Sequence, residues 1–103
     1  MRVVKKVFEF EWNKGNIDKN LEKHGVENKE AEEIFFDEKR FIFKDKLHSF
    51  GEERFRIIGK TKKKRLLFIV FTKRGRKIRI ISARDINKKE VFLYEEKISP
   101  SKV

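Results

Sequence analysis

The apolar positions of this chain predict five short β-strands. Residues 8–12 alternate apolar and acidic side chains, as a strand with one buried face does, and residues 54–60 alternate in the same way. Residues 41–43 form a short apolar run. Residues 66–72 are apolar at nearly every position, which predicts a central strand covered on both faces. Residues 77–84 place arginines among isoleucines, which is costly unless the arginines meet anions.

Helical spacing appears between the first two strands. Asn13 can cap a helix over residues 14–24, and the spacing predicts that one face of this helix is buried. The residues of that face are Ile17, Leu21 and His24. Asn28 can cap a second helix that ends near residues 37–38. Its apolar stripe consists of Ala31, Ile34 and Phe35.

The last strand breaks at residues 85–87 into a final helix. Val91, Tyr94 and Ile98 share one face of that helix, and Pro100 closes the ordered part. The order of elements is strand, two helices, a meander of about four antiparallel strands and a packing helix, which predicts an α+β fold. We expect a small antiparallel sheet of four to five strands in a single domain, residues 1–103, with an ordered core over about 7–98. The pattern alone does not settle where the first strand pairs.

Composition narrows the function classes. The 103 residues suit one modest core, to which eleven Phe contribute bulky side chains. The absence of Cys fits a reducing interior, and neither a transmembrane run nor a signal peptide is recognisable, so we expect a cytoplasmic protein. Two His and no Cys match no metal-ligand spacing, and there is no Gly-rich phosphate loop. We therefore expect neither a metal nor a cofactor.

Charge is distributed unevenly. The chain carries +11 overall, but residues 1–53 hold 11 Lys/Arg and 13 Asp/Glu (−2), whereas residues 54–103 hold 17 and 4 (+13). This asymmetry indicates a polyanion or an acidic protein facing the second half. A well-solvated basic surface would explain the same numbers.

A cationic site with few titratable groups can cleave RNA. The 2′-hydroxyl of RNA is itself the nucleophile, so the protein needs only to orient it, balance charge and move protons. Arg54, Arg79 and Arg84 are candidates for holding the scissile phosphate, because guanidinium groups bind phosphate bidentately. Strict alternation places Arg79 and Arg84 on opposite faces, unless the strand ends or bulges before Arg84. Each arginine could equally form a surface ion pair or pack the aliphatic part of its side chain against a helix.

Four residues are candidates for proton transfer or RNA contact, and each has a simpler alternative. His48 lies in a polar loop and titrates in the useful range, but it could be a loop histidine without a function. Glu53 could act as a base, although pairing with Arg54 is the better explanation. His24 sits at a helix end, where it favours a structural role. Tyr94 falls on a buried stripe, with its hydroxyl at an edge.

The remaining basic residues are candidates for RNA binding through charge alone. The basic turn after the strand 54–60 would attract any polyanion and discriminate none. These candidates are Lys62, Lys63, Lys64, Arg65, Arg74 and Arg76.

Several short motifs follow one another in a distinctive order. They are Phe10-Glu11-Trp12-Asn13, Lys23-His24-Gly25-Val26, Glu30-Ala31, His48-Ser49, Glu52-Glu53-Arg54, Arg79-Ile80-Ile81-Ser82-Ala83-Arg84, Glu90 and Tyr94. In this order and spacing, residues 8–97 resemble the BrnT family of type II toxin–antitoxin ribonuclease toxins. One departure is Asn13, which stands where the family usually has Asp. Both residues cap helices, so the change should leave the fold intact.

The resemblance implies more than the residues do. It implies a RelE-like fold and metal-independent RNA cleavage that arrests translation and growth. It also implies a BrnA-type ribbon-helix-helix antitoxin as partner, in an expected heterotetramer that binds operator DNA through the antitoxin. The positions it marks are Lys23, His24, His48, Glu53, Arg54, Arg79, Arg84 and Tyr94.

Two other hypotheses use the same basic half. A non-catalytic RNA- or antitoxin-binding module, such as a degenerate toxin, would have the same charge distribution. A DNA-binding protein is disfavoured, because no candidate helix is rich in Arg and Asn.

Overall fold

The computed structural model describes residues 8–45 and 51–98. Five strands form one sheet in the order β1-β5-β4-β3-β2. The elements in chain order are β1 (Glu9–Phe10), α1 (Lys19–His24), α2 (Asn28–Glu33), a 3₁₀ helix (Ile34–Phe36), β2 (Phe41–Asp45), β3 (Arg54–Lys60), β4 (Leu66–Arg74), β5 (Lys77–Asp85) and α3 (Lys88–Ile98). The α+β fold is therefore confirmed.

The strands β2 to β5 form the predicted antiparallel meander, with β4 at its centre. The β4–β5 turn is tight, because Arg74 pairs directly with Lys77 and Gly75 adopts a φ of 63°. β1 is the exception to the antiparallel pattern. It pairs with β5 in parallel and at only two positions, so the sheet is mixed.

The helices α1 and α2 and the 3₁₀ helix cover one face of the sheet, which we call the core face. Phe35 lies at its centre and is 1% exposed, with edge-on ring contacts to Phe10 and Phe71. The predicted stripe of α2 and the 3₁₀ helix is confirmed, since Ala31 and Ile34 are also buried. Burial of each large apolar side chain contributes about 1.5–3 kcal/mol, so this cluster supplies much of the stability.

The first helix differs from its prediction. It begins at Lys19 instead of residue 14, and the Asn13 side chain accepts a hydrogen bond from the Gly15 N–H inside a turn (2.9 Å). Ile17 and Leu21 were predicted to be buried, yet they are 44% and 45% exposed. The prediction assumed that an apolar stripe faces the core, whereas the inward-facing side chains are Asn20 of α1 and Asn16 before it.

The second helix also begins differently. Glu27 is its N-cap residue and forms a capping box with Glu30, so Asn28 lies one position inside the helix instead of capping it. The helix therefore begins within one residue of the predicted position, but Glu27 and Glu30 cap it instead of Asn28.

The final helix, α3, packs on the opposite face of the sheet. Tyr94 lies with Ile58 and Phe68 in a second, smaller apolar cluster. Because this cluster occupies only one end of the sheet, the other end of that face is left for polar side chains. No helix in the described part of the chain is both long and apolar enough to cross a membrane.

Candidate active site

A β-bulge at Ile81 determines which arginines share a face. Phe71 lies opposite Ile80 while Val70 lies opposite Ser82, so Ile81 has no partner on β4. Arg79 and Arg84 would lie on opposite faces of a regular strand. With the extra residue between them, both point away from the core face.

Two buried asparagines satisfy the backbone of β5 around the bulge. Asn16 donates its side-chain N–H to the Ile80 carbonyl (3.1 Å), and Asn20 accepts the Ala83 N–H (2.9 Å). The edge of β5 needs such partners because β1 pairs only with its first two residues. This requirement explains why Asn20 of α1 and Asn16 in the turn before it, and not Leu21, face the sheet.

The bulge adds Arg84 to a surface that we call the arginine face, formed by the side chains of Arg54, Arg56, Arg79 and Arg84. Arg54 and Arg79 both pair with Thr72 on β4, one on each side of it. Neighbouring strands lie about 4.8 Å apart, so their backbones are about 10 Å apart. Two long guanidinium side chains at that spacing can contact one phosphate from opposite sides.

Arg79 is held loosely at the end of this face that α3 does not cover, which we call the open end, and its side chain is 15% exposed. Its Nη1 lies 3.3 Å from Glu11 Oε2 and 3.4 Å from Asn16 Oδ1. These distances exceed the 2.7–2.9 Å that is typical of strong charge-assisted hydrogen bonds. A Cβ on Gly15 would lie only 2.5 Å from Nη2 of the same arginine, so glycine leaves room for the guanidinium.

Arg84 is held tightly. Its two terminal nitrogens donate to both oxygens of Glu90 at 2.9 and 2.8 Å, and its guanidinium carbon lies 4.2 Å from the centre of the Phe68 ring. The hydrogen bonds to Glu90 raise the pKa of Arg84. Glu90 also forms a capping box with Asn87 at the start of α3. Arg84 therefore fastens the final helix to the sheet.

Arg56 completes the arginine face and was missed from the sequence. Its Nε lies 3.3 Å from Asp45, whose side chain is 4% exposed, and its guanidinium lies over the rings of Phe43 and Phe68. Period-two alternation from Arg54 could have found this residue, because β3 has the bounds that were predicted.

The candidates for proton transfer lie apart from these arginines or outside the described residues. His48 falls in residues 46–50, which the structure does not describe. Glu53 is paired with Lys44 (2.8 Å), not with Arg54 as the sequence suggested, although Arg54 has interactions of its own. The hydrogen bond from Lys44 lowers the pKa of Glu53, which makes this carboxylate a weaker base.

Tyr94 is 2% exposed, and its hydroxyl donates a 2.6 Å hydrogen bond to Asp37. Burial, and then this hydrogen bond, raise the pKa of Tyr94. The Asp37 carboxylate also accepts the backbone N–H groups of Lys39 and Lys60. In this arrangement the ring offers no surface on which a base could stack, and the hydroxyl anchors α3 to the segment after α2.

Tyr94 also lines a cleft of about 910 Å³ that lies away from the arginine face. Its walls carry both acidic and basic side chains, among them Glu33, Asp37, Lys60 and Lys62. None of the residues predicted to be catalytic lines it.

Arg65 lies at the C-terminal end of α1, whose last turn contains Lys23 and His24. Arg65 donates to Asp85 at 2.7 Å and to Glu30 at 3.1 Å, and its Nη1 also donates to a backbone carbonyl after α1. The hydrogen bond to Asp85 raises the pKa of Arg65. Arg65 is thus a structural tie between α1, α2 and β5.

The other basic candidates are exposed. Lys62, Lys63 and Lys64 form the β3–β4 turn, and Arg76 lies in the β4–β5 turn. Arg74 lies at the open end of the arginine face, 3.4 Å from Glu11 and 3.7 Å from Glu52. Only Arg74 of this set is next to Arg79.

Glu11 and Asn16 were also missed as site residues. Glu11 could not be assigned because its neighbour Arg79 is 68 residues away, on a strand whose pairing with β1 the pattern left open. Among residues 8–45 and 51–98, no group of three or more His, Cys, Asp or Glu could hold a metal ion.

Comparison with known proteins gives the family. No curated protein matches the sequence, but a family model described as the ribonuclease toxin BrnT of type II toxin–antitoxin systems matches residues 12–90. The matched segment covers more than half of the 103 residues and contains β2 to β5 with all four residues of the arginine face. This chain therefore belongs to the BrnT family of ribonuclease toxins, a family of type II toxin–antitoxin systems.

Proposed function

We propose that this protein is an endoribonuclease that cleaves RNA without a metal ion and thereby arrests translation and growth. One observation carries the proposal: Arg54 and Arg79 both pair with Thr72, from opposite sides, and therefore lie on the same face of the sheet. Such a pair can hold the scissile phosphate and stabilise the extra negative charge that develops as the 2′-oxygen attacks. The BrnT family membership supports the same chemistry.

The residues take distinct roles in this proposal. Arg54 and Arg79 bind the phosphate, and Arg84 supports them by fixing α3 beside the site. His48 transfers a proton. It lies in the sequence between Asp45, the last residue of β2, and Arg54, the first residue of the neighbouring strand β3. Glu53 is the second choice for this role because Lys44 occupies its carboxylate. Lys23, His24 and the exposed lysines contribute to RNA binding through charge.

We also propose that the partner is a BrnA-type antitoxin with a ribbon-helix-helix domain, assembled with the toxin as a heterotetramer that binds operator DNA. Membership in a type II toxin–antitoxin family implies an antitoxin. The net charge of +13 in residues 54–103 favours an acidic inhibitory segment.

Cleavage by the purified protein tests the proposal. We expect RNA to be cut in the presence of EDTA, and Arg79→Ala to cut about 10²–10³-fold more slowly. In cells, expression should arrest growth, and co-expression of the antitoxin should restore it. Intact RNA after incubation with the wild type, together with equal growth on expressing wild type and Arg79→Ala, would contradict the enzymatic proposal.

A binding module without catalysis is the second candidate. Three arginines of the arginine face already have carboxylate partners, namely Glu11, Asp45 and Glu90, which neutralise part of their charge. Salt-sensitive RNA binding without cleavage and without toxicity would favour this candidate.

A further inference from the structure

Glu11 lies on the arginine face beside Arg79. Its backbone N–H donates to the Ile78 carbonyl (2.8 Å), which continues the parallel pairing of β1 and β5 by one residue. Because Phe10 and Trp12 pack against the core face, alternation turns the Glu11 side chain to the opposite face. The neighbouring position on β5 in this register is Arg79.

One oxygen of this carboxylate is open. Arg79, Arg74 and Asn13 all contact Oε2, at distances of 3.3 to 3.4 Å. Within residues 8–45 and 51–98, no residue donates a hydrogen bond to Oε1. The side chain is 23% exposed. Glu11 is therefore accessible, and its existing contacts are long enough to give way to a substrate.

Three other carboxylates near this face are already occupied. Glu90 is bound through both oxygens, Asp45 is 4% exposed and paired with Arg56, and Glu53 is bound by Lys44. Among the described residues, Glu11 combines a direct contact to Arg79 with a free acceptor oxygen.

We propose that Glu11 is the general base of RNA cleavage, accepting the proton of the ribose 2′-hydroxyl that attacks the phosphate held by Arg54 and Arg79. The inference rests on the ribonuclease activity proposed above. A phosphate bound to the Arg79 guanidinium lies one guanidinium width from the carboxylate, so the hydroxyl of the preceding ribose comes within hydrogen-bond reach.

The step balances as follows. The 2′-oxygen gives its proton to Oε1 of Glu11 and forms a bond to phosphorus, while the bond from phosphorus to the 5′-oxygen breaks. The departing 5′-oxygen takes a proton from solvent water. The products are a 2′,3′-cyclic phosphate and a 5′-hydroxyl end.

Glu11→Gln is the informative variant, because glutamine keeps the shape and an acceptor for Arg79 but cannot take the proton. We expect the single-turnover cleavage rate of an RNA oligonucleotide to fall about 10²–10⁴-fold, with unchanged or tighter RNA binding. The pH–rate profile should also lose the limb on which the rate falls as pH decreases. Glu9→Gln is the matched control, since Glu9 lies two residues earlier on the same face and makes the same change of charge.

Three results separate the possibilities. A Glu11→Gln variant that cleaves within threefold of wild type, or that is slower with an unchanged pH profile, overturns the role of Glu11 while the wild-type activity stands. A wild type that cleaves nothing overturns the proposed function itself. If Glu11→Gln does not fold, Glu11→Asp replaces it. A slower rate with the acidic limb retained then supports the proposal, and an unchanged rate contradicts it.

Discussion

The two ends of the arginine face use the same residue type for different purposes. At the open end, Arg79 lies beside Glu11 with hydrogen bonds of 3.3 and 3.4 Å, and no described apolar cluster covers it. At the end where α3 packs, which we call the covered end, Arg84 is bound by Glu90 at 2.8 and 2.9 Å and stacks on Phe68, although its side chain is more exposed than that of Arg79 (37% against 15%). Both belong to β5, so the strand sequence alone does not separate their roles.

The difference suggests how to distinguish arginines that stabilise the fold from arginines that are able to bind a substrate. A guanidinium that is bound bidentately and stacked on a ring would lose both contacts by turning to a substrate. A guanidinium with long, single contacts loses little by doing so. We therefore propose that binding and catalysis take place at the open end, and the following predictions test that division.

The largest effect is expected from Arg54→Ala at the open end. Loss of one phosphate contact should lower the cleavage rate about 10²–10³-fold, or about 2.7–4 kcal/mol of transition-state stabilisation. Arg54→Lys keeps the charge but not the two parallel N–H donors of the guanidinium, so its cleavage rate should lie between those of the wild type and Arg54→Ala. Single-turnover kinetics measure the effect. Equal rates for all three proteins would contradict a phosphate contact by Arg54.

Arg84→Ala should act mainly on stability. It leaves the Glu90 carboxylate without its charged partner, so we expect a loss of about 1.5–3 kcal/mol in the free energy of unfolding. The cleavage rate of the folded variant should change less than about tenfold. Urea unfolding and kinetics on the same preparation decide the point. A rate loss as large as that of Arg54→Ala would place Arg84 in the chemistry.

Asn16→Ala tests the support of the bulge. The Ile80 carbonyl and the Glu11 carbonyl each lose their side-chain donor, and we expect about 1–2 kcal/mol of destabilisation. The cleavage rate should fall as well, because Asn16 contacts both the Arg79 guanidinium and the Glu11 carbonyl. Asn13→Ala is the control for stability, since its side chain lies at the surface and accepts a hydrogen bond within its own turn. The wild type is the reference for the rate, because Asn13 also contacts Glu11 (3.3 Å). If Asn16→Ala is as stable as Asn13→Ala and as active as the wild type, the asparagine does not hold the bulge.

The smallest effect is expected from acid, which we consider at the covered end. Burial works to raise the pKa of Asp37 and of Glu90. Hydrogen bonds from the side chains of Tyr94 and Arg84, added to those from backbone N–H groups and to nearby positive charges, together outweigh burial, so both pKa values are lowered in the folded protein. Groups with a lowered folded pKa stabilise the protein above their ordinary value of about 4, and that contribution is lost as pH falls through the folded value. The free energy of unfolding should therefore decline below about pH 4.5. Tyr94→Phe should reduce the decline, and equal pH dependence in both proteins would contradict the role of Asp37.

Much of the fold follows from local patterns. The strands β3, β4 and β5 lie where alternation and apolar runs placed them, and the buried stripe of α2 was recognised from its spacing. The first helix was predicted to be too long, because the asparagines that face the sheet look like surface residues in a periodicity analysis. Their partners are backbone groups of β5, whose position no local pattern contains.

The sequence by itself determined the order of elements, the ends of β3, β4 and β5 to within two residues, the positive second half and the arginines that are candidates. Only the tertiary structure decided which of those arginines share a face. One unpaired residue, Ile81, reverses the alternation between Arg79 and Arg84, and the parallel pairing of β1 brings Glu11 to Arg79. Both depend on contacts between segments more than sixty residues apart, whereas periodicity carries information only within a segment.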